Sequence, residues 1–414
     1  LRQPGLLQQR EMPGNRGLGD AERRGQRHDG LLAIGVGAEV QRRADITAQE
    51  LADLLNLSPS QTARRLLAAL GPPENLWNQA LADLHQLVSR AQSQALQREP
   101  DGWASLLDTT WQWLQEKPSD RAIVTLGDSD YPAALLDTAD PPLLLYAMGQ
   151  TAHLRQLQAH HAIAMVGSRN PTPQGSLNAH EFARSMATCG LTVVSGMALG
   201  IDGAAHEGAL QGAAPGQLAT IAVVGTGLDR VYPKQHLALA HEIAAHGLIL
   251  SEYPLGTPPL NANFPKRNRL ISGLSQATLV VEAALKSGSL ITAKQALEQG
   301  RDVFAIPGSI HSPQSKGCHA LIKQGAKLVE SAQDVLEELR WPDAPLSSAG
   351  DPPNTAAADQ GLLAQMGHDP IGLDALQARC GLTTSQLQAQ LLELELAGRV
   401  ARLPGGLFQR LVKA

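Results

Sequence analysis

The densest group of cationic side chains in the sequence is formed by Lys266, Arg267 and Arg269, with Asn268 between them. No acidic residue interrupts this group, and the rest of residues 119–340 contains 13 Lys or Arg against 18 Asp or Glu. Lys266 and Arg269 are three residues apart and would share one helix face, whereas Arg267 would point elsewhere. Because packed like charges repel one another, the cluster favours phosphate binding, with a solvated helix face as the alternative.

Three loops rich in glycine and hydroxyl groups follow predicted strands. The first is Gly167-Ser168-Arg169, the second contains Gly196 and Gly200, and the third is Ser287-Gly288-Ser289. Ligands of parallel sheets bind at the carboxyl ends of the strands, near helix N-termini. Each loop alone is typical of ordinary turn geometry. Three at one sheet edge predict an anion-binding rim, in which the planar guanidinium of Arg169 suits phosphate.

Sequence motifs for catalysis and metal binding are absent. There is no Walker A sequence, no GxSxG, no HExxH and no GxGxxG followed by a ribose-binding acid, and the cysteines and histidines lack metal-ligand spacing. Asp202, Glu252 and Glu282 could act as acid/base groups, but single carboxylates at strand ends serve equally well as helix caps. We therefore predict no catalytic constellation, no metal site and no cofactor.

The elements that must position these residues alternate between short apolar segments and longer helical ones. The strand-like segments are Ile163–Val166, Thr192–Ser195, Thr220–Val224, Leu248–Ser251, Thr278–Glu282, Val303–Ile306 and Lys327–Val329. Two earlier segments, Ala122–Leu126 and Leu143–Tyr146, are predicted as extra strands attached to them. This alternation is typical of βαβ units and predicts an α/β protein with a doubly wound, Rossmann-like parallel sheet.

Composition divides the 414 residues into five predicted segments. Residues 1–44 contain eight arginines and no apolar periodicity, which predicts a disordered extension, more typical of a tag or a mis-started sequence than of a functional arm. Residues 45–117 have helical apolar spacing, and 118–340 contain the predicted sheet. Residues 341–357 are rich in Pro, Ala and Ser and are predicted as a linker, and 358–414 follow the helix–helix–helix–hairpin order of a winged helix.

The predicted winged helix has an unusual charge distribution for a duplex reader. Its third predicted helix, Ser385–Ala397, carries glutamine and glutamate as polar residues, and the positive charge lies on the wing at Arg399, Arg402 and Arg410. Carboxylates facing duplex DNA would be repelled. We therefore expect this domain to contact protein, or to contribute weakly to backbone binding.

Overall charge and hydropathy exclude two further classes of protein. The net charge is −5, so any anion site must be local, and no segment approaches the roughly 18 consecutive apolar residues of a membrane helix. The cysteines are too far apart for a disulfide framework. We expect a cytoplasmic protein without membrane contact.

Seven ordered motifs within residues 120–340 resemble those of the bacterial DNA-processing protein A (DprA, or Smf) family. They are VGSRNPTPQG, SGMALGIDGAAHEGAL, GTGLDRVYP, SEYPLG, FPKRNRLISGLS, VVEAALKSGSLITAKQALEQGRDVFAIPG and SKGCHALIKQGA. The resemblance implies a non-enzymatic single-stranded DNA binder that protects incoming strands and helps load the RecA recombinase during natural transformation. It also implies a homodimer and a three-part layout, with a SAM-like helical module before the sheet domain and a winged helix after it.

The same resemblance implies roles for individual residues. Arg169 is the phosphate-binding arginine of the turn that contains Gly167 and Ser168. The cluster around Asn268 tracks the DNA backbone through Lys266, Arg267 and Arg269. The groove is lined by Gly196, Gly200, Ser287, Gly288 and Ser289, and Lys286 adds positive charge beside it. Departures from the family pattern are Lys266, Lys286 and Cys318-His319, the last of which replaces a more usual Thr-Asn.

Two other functions stay open at this point. One is a nucleotide-binding or nucleotide-hydrolysing enzyme of Rossmann-like fold, and the other is a nucleotide-sensing or scaffolding protein. Phe264 is the obvious aromatic beside the cationic cluster, and it could stack on a base or belong to the core.

Overall fold

The computed structural model describes residues 59–70, 79–96, 102–126, 128–157, 161–342 and 361–412. The predicted disordered extension at 1–44 lies outside these residues, as do the start of the predicted helical module and most of the predicted linker. In the part of the chain that the structure describes, no helix is long and apolar enough to cross a membrane.

Every regular element that the structure describes between residues 59 and 116 is a helix. The helices are α1 (Pro59–Leu70), α2 (Leu81–Leu87), α3 (Arg90–Leu96) and α4 (Trp103–Glu116). Helix α1 begins at a proline, which suits the first helical position because an N–H there has no partner within the helix. Trp113 is buried, and its ring centroid lies 6.1 Å from that of Tyr146 in an edge-to-face contact, so this tryptophan serves packing. The SAM-like assignment of the module stays a prediction.

A nine-stranded sheet organises the sheet domain. Its strands are β1 (Arg121–Thr125), β2 (Leu144–Gly149), β3 (Ala162–Val166), β4 (Thr192–Ser195), β5 (Thr220–Val224), β6 (Leu248–Ser251), β7 (Ala277–Val280), β8 (Asp302–Ala305) and β9 (Lys327–Leu328). The order across the sheet is β1-β2-β6-β5-β4-β3-β7-β8-β9. In this order across the sheet, every pair of neighbouring strands from β6 to β9 is parallel. Strand β2 pairs antiparallel with β6. The predicted α/β fold class is confirmed.

Helices cover the sheet because its central strands are apolar on both faces. They are α5 (Ala133–Leu136), α6 (Pro173–Thr188), α7 (Ile201–Gly212), α8 (Leu237–His246), α9 (Asn263–Gly273), α10 (Ser289–Glu298), α11 (Lys316–Lys323) and α12 (Ala332–Glu338). Every residue of β3, β4, β5 and β7 is buried. Phe182 and Met186 of α6 pack with Ile201 of α7 and Ile163 of β3 in one apolar core.

The sheet order reverses direction around β3. The chain continues from β3 to β4 on one side and returns later to place β7 on the other side. Where strand order reverses in this way, the loops at the carboxyl ends diverge to opposite faces and leave a crevice. The loops after β3 and β7 are the ones that contain Arg169 and Ser287–Ser289, so the topology brings two of the predicted loops together.

The C-terminal residues form the predicted winged helix. It contains α13 (Leu362–Met366), β10 (Ile371–Gly372), α14 (Leu373–Cys380), α15 (Thr384–Leu396), β11 (Val400–Leu403) and β12 (Leu407–Arg410), with strand order β10-β12-β11. Thr383 caps α15 through a reciprocal capping box with Gln386. Leu376, Leu391 and Phe408 are buried in its core. Strand β10 was not predicted, because two residues are too few to show alternation.

Candidate functional site

A cleft of about 600 Å³ lies at the crevice between the carboxyl ends of β3 and β7. It is bounded by the loops after β3 and β4, the loop that precedes α10, and helices α9 and α10. Nine of the predicted contact residues line it: Gly167, Ser168, Arg169, Arg267, Asn268, Lys286, Ser287, Gly288 and Ser289. The cleft therefore joins the cationic cluster of α9 to all three glycine-rich loops, of which the one after β4 contributes Ala198.

Gly196 and Gly200 do not line the cleft but lie against the residues that do. A Cβ at Gly196 would lie 1.9 Å from Nη1 of Arg267, so the loop after β4 passes directly over that guanidinium. Gly200 has a φ of +83°, and a Cβ there would lie 2.4 Å from the carbonyl oxygen of Ser168. Ile201 donates its N–H to the same oxygen at 3.1 Å. Both glycines thus allow close backbone approaches that hold Arg267 and the Arg169 turn in place.

Arg269 is engaged in ion pairs away from the cleft lining. Its Nη2 donates to both carboxylate oxygens of Glu252 at 2.5 and 2.7 Å, and its Nε lies 3.5 Å from Asp140. The side chains of Arg269 and Glu252 are each only 14% exposed. Burial alone would lower the pKa of Arg269, but Glu252 and Asp140 raise it above its ordinary value. A contact between Arg269 and the DNA backbone stays a prediction. The positive charge of Arg269 is already balanced by the carboxylates of Glu252 and Asp140.

Lys266 is exposed and also lies outside the lining of the cleft. Its charge interacts with that of Glu252, the residue that pairs with Arg269. The acids that balance this part of the cluster are therefore distant in sequence, which the local charge pattern could not show. A contact between Lys266 and phosphate stays a prediction.

Arg267 is the buried member of the cluster, with 3% of its surface exposed. Its Nη1 donates to the carbonyl oxygen of Val223 at 2.6 Å, and its Nε has no hydrogen-bond partner among the described residues. Burial lowers its pKa to about 10, Asp202 opposes that shift, and Arg169 adds like-charge repulsion. Arg267 thus stays charged at neutral pH. Its side chain points in a different direction from that of Arg269, as the helical spacing predicted.

The candidate acid/base carboxylates have structural contacts. Oδ2 of Asp202 accepts N–H groups from Gly196 at 3.2 Å and Ala198 at 3.3 Å, which fixes the loop after β4. Glu282 accepts the N–H of Thr172 at 2.9 Å and its hydroxyl at 2.5 Å, while that hydroxyl caps α6. Burial raises the pKa of both Asp202 and Glu282. Asp202 therefore holds the loop before α7, and Glu282 holds Thr172, the N-cap residue of α6.

Two aromatic rings stand beside the cationic side chains. The Arg169 guanidinium carbon lies 5.5 Å from the ring centroid of Phe264, and that of Arg267 lies 6.0 Å from it. Tyr232 packs on Phe264 with centroids 5.6 Å apart and an interplanar angle of 35°. Tyr232 is 45% exposed, so part of its ring is open to solvent. Phe264 lines the cleft.

Sequence reasoning assigned no role to Tyr232, which packs on Phe264 but is not itself part of the cleft lining, or to the lining residues Asn170 and Gln314. Tyr232 was visible only as an aromatic in the loop after β5, within the quoted GTGLDRVYP motif. Asn170, Thr292 and Gln314 line the cleft, and Nε2 of Gln314 donates to the carbonyl oxygen of Asn170 at 3.1 Å. Asn170 and Thr292 lie within two of the seven quoted motifs, whereas Gln314 lies in none of them.

The loop before α10 presents hydroxyl groups to the cleft. Oγ atoms of Ser287 and Ser289 are 2.7 Å apart, and the Ser289 N–H donates to the Ser287 hydroxyl at 3.3 Å. Lys286, beside them, is exposed. Together with Arg169 and the aromatic pair, these groups can hold an anion next to an apolar ring. Within the described ranges, no three His, Cys, Asp or Glu side chains form a group able to hold a metal.

Comparison with known proteins gives consistent matches over the sheet domain and the winged helix. Residues 122–340 match the family described as DNA recombination-mediator protein A, and residues 346–406 match the DprA winged helix domain. The chain is 45% identical over 311 residues to protein Smf of Escherichia coli strain K12, covering 73% of this chain and 80% of that protein. It is 44% identical over 216 residues to the DNA processing protein DprA of Bacillus subtilis strain 168, covering 52% and 70%.

A solved structure supports the same relationship. The X-ray structure of DNA processing protein A from Streptococcus pneumoniae matches with a TM-score of 0.56 and 39% identity. The match covers 67% of this chain and 93% of that one.

Proposed function

The chain belongs to the DNA recombination-mediator protein A family, and from that premise we propose that its cleft binds single-stranded DNA. The observation that carries the proposal is the arrangement of Arg169, Phe264 and Tyr232. A solvent-facing guanidinium lies against one ring, and a second, partly exposed ring packs on the first. A cation that contacts phosphate beside an aromatic that stacks on a base is the combination that single-strand binders use.

The proposed contacts divide between phosphate and base. Arg169 and Lys286 are exposed at the cleft and meet phosphate oxygens, and the hydroxyls of Ser287 and Ser289 add neutral donors. Tyr232 offers its open face to a base. Stacking on a ring requires an unpaired base whose face is free, and in a duplex the faces are covered by neighbouring base pairs. We therefore expect a preference for single strands and little preference for sequence.

The charges that line the cleft set the expected salt dependence. Among the described residues, three cations line it: Arg169, Arg267 and Lys286. At about −0.7 per phosphate contact on a single strand, the two exposed ones, Arg169 and Lys286, give a slope of log K against log salt of roughly −1.4, and a contact by Arg267 as well would give roughly −2. Participation of Lys266 and Arg269 as well would bring the slope to roughly −3.5.

We propose a binding role rather than an enzymatic one. Asp202 and Glu282 accept backbone N–H groups of Gly196, Ala198 and Thr172, so both carboxylates hold loop backbone in place. The family is described as a recombination mediator, which supports the further proposal that the protein helps load RecA during natural transformation. We propose as well that it protects incoming strands. We also propose a homodimer as the working form.

The primary test is a fluorescence-anisotropy titration of a labelled single strand across salt concentrations, with an equal-length duplex as competitor. We expect the duplex to compete weakly, and Arg169→Ala to bind less tightly with a shallower salt slope. The matched control is Lys294→Ala, because Lys294 is 77% exposed and lies 3.6 Å from Glu298 on α10, outside the cleft lining. Equal competition by duplex, or an Arg169→Ala variant with wild-type affinity, would exclude the proposal.

RecA loading and dimerisation need their own measurements. RecA filament formation on strands already coated with single-strand-binding protein should accelerate when the wild-type protein is added, and Arg169→Ala should reduce that acceleration. Light scattering should give twice the chain mass. Unchanged RecA kinetics would refute the loading role and leave strand binding intact.

A further inference from the structure

The loop after β3 holds Arg169 close to a second guanidinium. The guanidinium carbons of Arg169 and Arg267 lie 5.5 and 6.0 Å from the centroid of the same Phe264 ring. Burial lowers the pKa of Arg267 most, and the charge of Arg169 lowers it further, as like charges at short range do. Arg169 is exposed, so it would move away from Arg267 unless the loop that carries it were fixed.

The backbone on both sides of Arg169 is held by contacts from distant elements. The carbonyl oxygen of Ser168 accepts the N–H of Ile201 at 3.1 Å, and that of Asn170 accepts Nε2 of Gln314 at 3.1 Å. Each contact is a single hydrogen bond between neutral groups, which is the weaker kind of protein hydrogen bond. The chain that continues from Asn170 to α6 is held by a stronger, charge-assisted contact.

That contact is made by the carboxylate of Glu282, which follows β7. Its Oε2 accepts the N–H of Thr172 at 2.9 Å, and its Oε1 accepts the Thr172 hydroxyl at 2.5 Å. The same hydroxyl accepts the N–H of Gly175 at 3.0 Å and so caps α6. A Cβ at Gly175 would lie 2.3 Å from Cδ of Glu282, so α6 begins directly against the carboxylate. Glu282 thus joins the end of β7 to the chain three residues after Arg169.

We propose that Glu282 is a positioning residue for strand binding, which holds Thr172 and thereby keeps Arg169 against the Phe264 ring, where it contacts phosphate. Glu282 is not part of the described lining of the cleft, so it acts through the loop and not on the strand. The inference rests on the proposed binding of single strands by the cleft. It makes a carboxylate a requirement for binding an anion, which is the opposite of what its charge alone would do.

The sign of the effect of Glu282→Gln tests the proposal by anisotropy titration of a labelled single strand. Loss of a negative charge alone should strengthen strand binding. Loss of positioning should weaken it about threefold to tenfold, because glutamine has one carbonyl oxygen for the two donors of Thr172. The matched control, Glu298→Gln, removes the same charge from α10, where Glu298 is 63% exposed, and should bind like the wild type. Wild-type or tighter binding by Glu282→Gln would overturn the proposal.

A double-mutant cycle separates positioning from a general loss of structure. In an Arg169→Ala background, Glu282→Gln should change the affinity by less than about twofold, because the side chain that it positions is already absent. Losses that multiply would assign Glu282 to the stability of the domain and overturn the proposal. If Glu282→Gln fails to fold, Thr172→Val should weaken binding and Thr172→Ser, which keeps the hydroxyl, should not. Equal affinities of these two variants would also overturn it.

A measurement without DNA keeps the failure of this inference distinct from that of the proposed function. Side-chain NMR signals of isotope-labelled arginine are assigned to Arg169 by their loss in Arg169→Ala. They should carry the shift that the Phe264 ring causes in the wild type and in Glu298→Gln, and should lose most of it in Glu282→Gln. Unchanged Arg169 signals in Glu282→Gln would overturn the inference and leave strand binding intact. Displaced signals in a protein that binds no strand would overturn the proposed function and leave the positioning of Arg169 by Glu282 standing.

Discussion

Replacing Arg269 with methionine should weaken folding, whereas replacing Arg169 with alanine should weaken DNA binding. Arg269 forms two hydrogen bonds with Glu252 in a pair that is 14% exposed on each side. Removing one partner of a buried ion pair costs about 3–5 kcal/mol, because the remaining charge is left without compensation. For a domain of roughly 200 residues, this predicts a fall in Tm of about 6–20 °C.

The reverse pattern is expected at Arg169. It is exposed, and its contact with Phe264 has the geometry of a surface cation–π interaction, so its loss should change stability by no more than about 1 kcal/mol. Its removal should reduce the salt slope by about 0.7, the contribution of one phosphate contact on a single strand. Arg269→Met should leave that slope unchanged.

Thermal denaturation and anisotropy titrations on the same preparations measure both quantities. A double variant, Arg269→Met with Glu252→Met, provides the control, because it removes the uncompensated carboxylate and should recover most of the lost stability. The reasoning is refuted if Arg269→Met melts like the wild type and lowers the salt slope by about 0.7. Arg269 would then be a phosphate ligand, as the sequence predicted.

Three further outcomes are expected. Gly196→Ala should cost about 1–3 kcal/mol of stability and weaken strand binding, because its Cβ would lie 1.9 Å from Nη1 of Arg267; wild-type Tm and affinity together would contradict the close approach. Tyr232→Ala should weaken single-strand binding about 5- to 150-fold, and Tyr232→Phe should not, because the stacking face is retained. Equal losses in the two variants, measured by anisotropy, would assign the effect to the hydroxyl. Burial lowers the pKa of His206 to about 3, from 6.5 in the unfolded chain, so its contribution to stability is complete above pH 6.5. As the pH falls from 6.5 to 3 the unfolded state binds a proton that the folded state excludes, and the unfolding free energy should drop by up to about 1.4 kcal/mol per pH unit; urea titrations should show a shallower dependence in His206→Gln.

The sequence predicted the sheet well because its signal is local. Each strand is a short apolar segment that alternates with a helical one, and the observed bounds of β4, β5 and β6 equal the predicted ones. Glycine and serine after β3 and β7 marked the loops of the cleft, since ligand sites of such sheets lie at the carboxyl ends. The topology then placed both loops at one crevice without any long-range signal.

What the sequence could not predict depends on contacts between distant residues. The acids that neutralise Arg269 are Glu252 and Asp140, far outside the four-residue cluster. The aromatic partner of Phe264 is Tyr232, which precedes it by a whole strand and helix. Neither pairing leaves a periodic or compositional trace, because the close approach is created by the packing of loops at the sheet edge.

The cluster on α9 shows why charge density in a sequence is a weak guide to a binding site. Three cations in four residues have three different surroundings: Arg267 is buried in the cleft lining, Arg269 is paired with carboxylates, and Lys266 is exposed outside the lining. A cation contributes to binding when it faces the ligand and when no carboxylate already balances its charge. By both criteria Arg169 is better placed to contact an exposed phosphate than Arg269 is. Arg169 is an isolated arginine in its own loop, whereas Arg269 belongs to the cationic cluster of α9. The salt slope of the Arg169 and Arg269 variants measures that difference directly.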